Sequence, residues 1–161
     1  MVILTTTRFN NLTWEENERW REKNNYKGCV YGLMKPIAIS IPINSFLIVL
    51  EMNNDENKIM GFGLVQNVPQ PKENISIYSN PNYCLVVYNS KYRIDRKELT
   101  EQQEIYIKIL EILVFKGATH LKRGQGITLI PKKILKRGLI DLKKELVNIL
   151  ITKYNNLSKI I

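Results

Sequence analysis

Residue types that build metal and thiol sites are scarce in this chain. It has two cysteines and one histidine among 161 residues. A structural zinc site usually needs four Cys or His ligands, and Cys29 and Cys84 lie far apart in the sequence. The composition therefore predicts no metal site, and no cofactor is expected. Each cysteine lies in an apolar stretch, which predicts a small buried thiol, and nothing favours an oxidising compartment.

Long apolar runs are also missing. No stretch approaches the roughly 18 apolar residues that a membrane-spanning helix needs. The start, MVILTTTRFNN, lacks the basic leader and apolar core of a signal peptide. We therefore expect a soluble, intracellular protein with no membrane partner. The length of 161 residues and the hydrophobic fraction of 44% fit one globular domain over residues 1–161.

Acidic residues are scarce in the last third of the chain. The net charge is +9, and residues 101–161 carry +7 of it. From Lys116 to Lys144 the sequence contains nine basic residues and one acidic residue, Asp141. Like charges at helical spacing repel one another, whereas a polyanion would supply the missing charge and release its counterions. The pattern favours a nucleic-acid ligand. A basic face kept for solubility, or one that meets an acidic protein or a lipid, stays open.

The first half of the chain is predicted to be mainly strands. Thr13 and Glu16 form a capping box that predicts a helix from Trp14 to about Lys23. Short β-branched or aromatic runs bounded by Gly, Pro and Asn then predict strands. After a first strand near the N-terminus, these lie at residues 27–33, 37–41, 46–52, 58–65, 75–78 and 83–88.

The clearest of these strands form a hairpin. A polar loop separates 46–52 from 58–65, which predicts an antiparallel pair. Gly61 and Gly63 share one face of the second strand. Glycines at such positions mark a bend, a bulge, or the close approach of another backbone or a ligand.

The second half is predicted to be helical. Thr100 and Gln103 form a capping box before a helix over 101–116, which Gly117 ends. Its apolar residues cover more than half of the helix circumference, so we expect deep burial. A short strand at 127–130, a helical turn after Pro131 and a last helix over 139–154 follow.

One short segment combines positive charge with glycine. Two cations come directly before a Gly-Gln-Gly sequence, which predicts an anion-binding nest of backbone N–H groups; a tight loop that happens to be basic is the alternative. The segment matches neither GxxxxGK[ST] nor GxGxxG, so a nucleotide hydrolase has little support. We call it the KRGQG loop, and it consists of Lys122, Arg123, Gly124, Gln125 and Gly126.

Other candidate residues surround this loop. His120 is the only histidine, and beside a structural role it keeps a catalytic or phosphate-contacting role open. No catalytic residue is predicted, since no serine or threonine stands in a nucleophile motif. Aromatic rings bind unstacked bases, although most strand aromatics belong to a core. The further phosphate-binding candidates are Lys132, Lys133, Lys136 and Arg137, and the stacking candidates are Trp20, Tyr31 and Phe62.

The run from Gly28 to Val65 contains a strand, IPINSFLIVLEM, a polar hairpin and KIMGFGLV with G-x-G in its second strand. This order resembles the PUA-like β-barrels, which include ASCH, EVE and YTH domains. The resemblance covers about a quarter of the chain. It implies an α+β fold with a small mixed, mostly antiparallel β-barrel flanked by helices, and a ligand that is RNA or a modified base. The heavy use of Ile, Asn and Lys resembles proteins of AT-rich genomes, including large DNA viruses.

Together these features predict a nucleic-acid-binding protein that uses the KRGQG loop and a basic C-terminal surface. RNA or a single strand is favoured over duplex DNA, because no helix-turn-helix pairing is present. Two alternatives stay open. One is a small ASCH-like hydrolase acting on a nucleotide-like substrate, for which His120 and Glu51 would be the first residues to test. The other is a viral structural or host-interaction protein whose basic face meets an acidic protein.

Overall fold

The computed structural model describes residues 1–70, 75–136 and 139–161. The candidate Arg137 lies outside these residues. The strands are β1 (Val2–Phe9), β2 (Cys29–Leu33), β3 (Phe46–Asn53), β4 (Lys58–Gln66), β5 (Val86–Ser90), β6 (Arg93–Asp95) and β7 (Thr128–Leu129). The α-helices are α1 (Asn11–Lys23), α2 (Glu101–Phe115), α3 (Lys132–Leu135) and α4 (Leu142–Lys153), and a 3-10 helix, Pro81–Cys84, precedes β5.

Most of the strands belong to one mixed sheet with the order β6-β4-β3-β1-β7. β1 and β3 are parallel, and the other neighbours are antiparallel. β2 and β5 form a second, antiparallel pair. The predicted hairpin is confirmed as β3 and β4, and the α+β class with mostly antiparallel strands is confirmed as well. The strands of the described segments do not close into a barrel, so the PUA-like barrel stays a prediction.

β3 lies at the centre of the large sheet, and both of its faces are covered. Leu47 and Val49 pack into a cluster with β2, β5 and α1. Ile48 and Leu50 pack on the other face, in a cluster with α2 and α4. A strand that is buried on both faces does not alternate apolar with polar residues, because neither face meets solvent. This is why its sequence begins as the unbroken apolar run FLIVL.

α2 is buried along one stripe only. Ile107, Leu110 and Val114 are buried, whereas Ile105 and Ile112 are more than half exposed. The prediction of deep burial is therefore wrong for the outer face of this helix. The sheet covers one side of α2, α4 covers part of another, and the remaining side faces solvent.

The cap of α2 is the predicted one, whereas the cap of α1 differs from the prediction. The predicted box of Thr100 and Gln103 is present at the start of α2. α1 begins earlier than predicted, because Asn10 and not Thr13 is its cap. The Asn10 Oδ1 atom accepts the Thr13 N–H at 2.8 Å, and the Thr13 hydroxyl oxygen accepts the Asn10 N–H at 3.0 Å. Two hydrogen bonds thus satisfy N–H groups that would otherwise lack partners.

Two predicted strands do not form. Residues 37–41 make turns, because Pro36 and Pro42 at their borders lack the N–H that a ladder needs. Residues 75–78 lie in irregular structure before the 3-10 helix. Within the described part of the chain, no helix combines the length and apolar character required to cross a membrane.

Candidate functional site

A cavity of about 730 Å³ lies at one end of the large sheet. β1 and β3 are parallel and in register, so their C-terminal ends meet at the same sheet edge. There the Asn54 N–H donates to the Phe9 carbonyl oxygen at 2.8 Å. Arg8 and Asn54 line the cavity at this edge. The second wall comes from the end of β2 and from the segment around the 3-10 helix, which contributes Tyr78 and Tyr83.

The sheet topology brings the KRGQG loop to this cavity. β7 is antiparallel to β1, with Thr5 opposite Leu129 and Thr6 opposite Thr128. The residues just before β7 therefore lie at the C-terminal end of β1. Gln125 and Gly126 line the cavity as a result. Two of the predicted site residues thus lie at a concave surface.

The loop is fixed to the turn between β3 and β4. The Asn54 side-chain amide donates to the Lys122 carbonyl oxygen at 2.9 Å, and the Lys122 ammonium donates to Asn57 Oδ1 at 2.6 Å. The Lys122 N–H donates to His120 Nδ1 at 3.3 Å. A neutral amide does not cancel the charge of the lysine. Lys122 therefore remains a positive group whose position is set by hydrogen bonds.

The two glycines of the KRGQG loop have different roles, and one of them does not fit the predicted anion-binding nest. Gly126 has φ +70°, a backbone conformation that side chains rarely adopt. The Gly124 N–H, however, donates to the Leu121 carbonyl oxygen at 3.2 Å. The prediction that backbone N–H groups face outward is therefore wrong at Gly124. This glycine is needed for space, since a Cβ there would lie 2.9 Å from the Thr128 hydroxyl.

Two cations that the sequence did not single out also line the cavity. Arg8 is at the end of β1 and Lys35 follows β2, and both side chains are exposed. Neither forms an ion pair with any of the residues that the structure describes. No sequence pattern marks them as site residues, because they lie far from the basic C-terminal run. Only the pairing of β1 with β3 and β7 shows that Arg8 is close to the KRGQG loop.

The aromatic wall of the cavity consists of tyrosines that were not predicted for this role. Tyr78 is buried and Tyr83 is 37% exposed. Their ring centroids are 6.2 Å apart with an interplanar angle of 78°. The Tyr78 hydroxyl accepts from the Asn17 side-chain amide at 3.2 Å. Burial is the main reason why the pKa of Tyr78 is raised above its ordinary value, so this hydroxyl stays neutral.

The predicted stacking residues lie elsewhere, with one exception. Tyr31 lines the cavity, although it is almost fully buried. Phe62 is completely enclosed between the large sheet and the helices, so its predicted stacking role is wrong. Trp20 is half-buried and packs edge-on against Tyr26 at 5.7 Å, outside the cavity wall. Trp14 is buried in the core, whereas Trp20 packs at the border of the same cluster.

A buried charged cluster lies next to Tyr31. The Tyr31 hydroxyl donates to Glu51 at 3.0 Å, and Arg93 donates to Glu51 and to Asp95. Burial, followed by the nearby Cys29 and Glu51, raises the pKa of Tyr31 well above its ordinary value. Burial also raises the pKa of the Cys29 thiol to about 12, which makes this thiol unreactive.

The candidate catalytic pair is not brought together. The Glu51 carboxylate is paired with Arg93, while His120 accepts from the Lys122 N–H and does not line the cavity. Among the residues that the structure describes, no three His, Cys, Asp or Glu side chains cluster in a way that could hold a metal ion. The residues that line the cavity include positive charges, hydrogen-bonding groups and aromatic side chains.

The other basic candidates lie apart from the cavity. Lys132, Lys133 and Lys136 are exposed on α3 or directly after it, and none of them lines the cavity. Arg123 is exposed at the loop. In the described segments, no cation between Lys116 and Lys144 belongs to an ion pair.

Comparison of the chain with protein-family models, with curated proteins and with solved structures gives no significant match.

Proposed function

We propose that this chain binds single-stranded nucleic acid, RNA in particular, with one unpaired base in the cavity and the neighbouring phosphates on the surrounding cations. The observation that carries the proposal is the composition of the cavity wall. Part of the KRGQG loop, two cations that have no acidic partner among the described residues, and two adjacent tyrosines contribute to one concave site. Charge for phosphate and aromatic surface for a base are the two elements of single-strand recognition.

The size of the cavity supports a ligand as large as a nucleotide. Pockets for small ligands typically enclose about 300–1,000 Å³, and this cavity of about 730 Å³ lies within that range. Asn10, Asn54, Asn80 and Gln125 are among the residues that line it. The side-chain oxygens of Asn10 and Asn80 already accept backbone N–H groups, so Gln125 is the amide that we expect to contact a ligand. Amides can both donate to and accept from the edges of a base. The exposed ring of Tyr83 offers contact area for its face.

The basic C-terminal residues would extend the site along the strand. Lys122 and Arg123 lie next to the loop residues that line the cavity, and α3 follows β7 with further lysines. Contacts to phosphate position a strand without reading its sequence. The resemblance to PUA-like domains supports the same class of ligand, since those domains mostly bind RNA or modified bases.

Fluorescence anisotropy with labelled 12-nucleotide RNA, single-stranded DNA and duplex DNA at several salt concentrations tests the proposal. We expect RNA and single-stranded DNA to bind more tightly than the duplex, with log K falling linearly as log salt rises. Arg8→Gln combined with Lys35→Gln should weaken binding. The matched control, Arg19→Gln with Lys159→Gln, removes two exposed cations that do not line the cavity.

Binding that is independent of salt, or equal for the single strands and the duplex, would contradict the proposal. An equal loss of affinity in the cavity variant and in its control would also contradict it, because charge alone would then explain the binding.

A further inference from the structure

The outer face of α2 carries apolar side chains that the rest of the described chain leaves exposed. Ile105 and Ile112 are 53% and 55% exposed, and Ile109 between them is half-buried. Residues four and seven positions apart lie on one side of an α-helix. The three isoleucines therefore form one apolar stripe along the helix, which we call the α2 stripe. Single exposed apolar residues are ordinary on a protein surface, whereas contiguous exposed apolar surface marks contact with a partner.

The two ends of the α2 stripe carry opposite charges. Glu101 begins the helix and Lys116 directly follows its last residue, and both side chains are exposed. Each of them is four residues from an isoleucine of the stripe, and so lies on the same side of the helix. Neither forms an ion pair with any residue that the structure describes. Lys108 borders the stripe one turn after Glu104, so the charges of these two residues offset each other.

A second copy of the same helix matches this pattern when it runs antiparallel to the first. A two-fold axis midway between Ile105 and Ile112 places Ile105 of each copy opposite Ile112 of the other. The same axis places Glu101 of each copy opposite Lys116 of the other, because both pairs are centred on the same point of the helix. Every contact then occurs twice, as in an isologous interface. A parallel copy would instead bring like charges together at both ends, which is unfavourable.

We infer that this chain forms a homodimer in which two copies of the α2 stripe pack antiparallel about a two-fold axis. An anionic surface, whether nucleic acid or lipid, would attract Lys116 but repel Glu101, whereas a second α2 complements both charges. The interface also supplies the burial that the apolar pattern of α2 predicts from the sequence.

The dimer goes beyond the proposed function and does not rest on it. The cavity is lined by other parts of the described chain and not by α2. Pairing through this helix therefore leaves the residues that line the cavity free to bind a ligand.

Sedimentation equilibrium of the purified chain over a wide range of concentrations tests the inference. We expect a reversible monomer–dimer equilibrium with a dissociation constant of roughly 1–100 μM, as for an interface below the standard size. Ile105→Gln combined with Ile112→Gln should weaken dimerisation at least about tenfold, because the apolar contacts are lost from both copies. The matched control is Ile39→Gln with Ile43→Gln, which changes two isoleucines that are more exposed and lie outside α2. It should dimerise as the unchanged protein does.

An exchange of charges tests the antiparallel arrangement. Glu101→Lys should weaken dimerisation by roughly threefold to tenfold, since the two-fold axis brings the new lysine against Lys116 twice. The addition of Lys116→Glu to this variant should restore the affinity. Circular dichroism should report the same helix content for every variant.

A chain that stays monomeric at every concentration would overturn the inference, and so would a dimer that the double change in α2 leaves intact. An equal loss of dimerisation in the control would also overturn it, because general apolar exposure would then explain the association. If the exchange of charges fails to restore the affinity, the antiparallel dimer is wrong. The proposed function stands or falls separately, since it is tested by RNA binding at the cavity.

Discussion

The guanidinium Nη2 of Arg93 lies 2.7 Å from the carboxylate of Glu51, and both side chains are almost fully buried. This pair connects the central strand β3 with β6 at the edge of the large sheet. It lies beside Tyr31, whose hydroxyl donates to the same carboxylate and which is among the residues that line the cavity. Burial acts to lower the pKa of Arg93, but the charge of Glu51 and the hydrogen bonds to it raise this pKa above its ordinary value.

Removal of the carboxylate should be strongly destabilising. Glu51→Leu leaves the Arg93 charge buried with only Asp95 as a partner, and breaking a buried pair in this way costs about 3–5 kcal/mol. Urea denaturation would measure the change in the free energy of unfolding. Glu56→Leu is the control, because this carboxylate is exposed on the β3–β4 turn; there we expect about 0.5 kcal/mol or less. Equal effects of the two changes would show that the buried pair contributes no special stability.

The glycines of β4 make room for this cluster. A Cβ on Gly63 would lie 2.5 Å from both the Cys29 sulfur and the Tyr31 hydroxyl. Gly63→Ala should therefore lower the free energy of unfolding by about 1–3 kcal/mol, as overpacking of a core does. Thermal unfolding would measure it, and Tyr31→Phe in the same background should recover part of the loss. An unchanged melting temperature in Gly63→Ala would contradict close packing of Cys29 and Tyr31 against this glycine.

Low pH should destabilise the fold because two carboxylates become protonated, that of Asp95 on β6 and that of Glu104 on α2. Hydrogen bonds from Arg96 lower the pKa of Glu104 below 4.5. Burial tends to raise the pKa of Asp95, but hydrogen bonds from Lys97 and Arg93 lower it below 3.8. A carboxylate whose pKa is lower in the folded state stabilises at neutral pH, and this contribution is lost as pH falls through the folded value.

Urea denaturation between pH 7 and pH 3 would measure this dependence. Stability should begin to fall below about pH 4.5, and Glu104→Gln with Asp95→Asn should flatten the curve. A variant with the same pH dependence as the unchanged protein would exclude these two groups as its source.

The sequence predicts several local features correctly because they depend on neighbouring residues. The cap at Thr100, the stop at Gly117 and the β3–β4 hairpin are all of this kind. The binding role that it assigns to residues 122–126 stays a prediction, and two of these residues line the cavity. Close approach of another backbone was an expectation for Gly61, and a Cβ there would indeed lie 2.5 Å from the Ile94 carbonyl oxygen.

The remaining features depend on long-range pairing, which no local pattern encodes. Arg8 and Lys35 reach the cavity only because β1 pairs with β3 and β7 and because β2 packs near the 3-10 helix. Phe62 was a stacking candidate because it lies between two glycines. Those glycines instead make room for side chains and backbone of the protein itself, and Phe62 points into the opposite core.

The KRGQG loop should contribute charge contacts without sequence preference. Replacing Lys122 and Arg123 together with alanine should weaken binding about equally for different RNA sequences. Each lost phosphate contact should also reduce the slope of log K against log salt by roughly 0.7 on a single strand. Stability should change little, because exposed charges contribute about 0–1 kcal/mol. An unaltered slope in a folded variant would exclude the loop from the interface.

An NMR titration of the isotope-labelled protein with a short single-stranded RNA would locate the binding surface directly. We expect the largest backbone shift changes at the cavity, at Arg8, Lys35, Tyr83, Gln125 and Gly126. Smaller changes should follow along the lysines of α3. Shift changes confined to α3 and α4, with the cavity residues unaffected, would contradict the assignment of the cavity as the binding site.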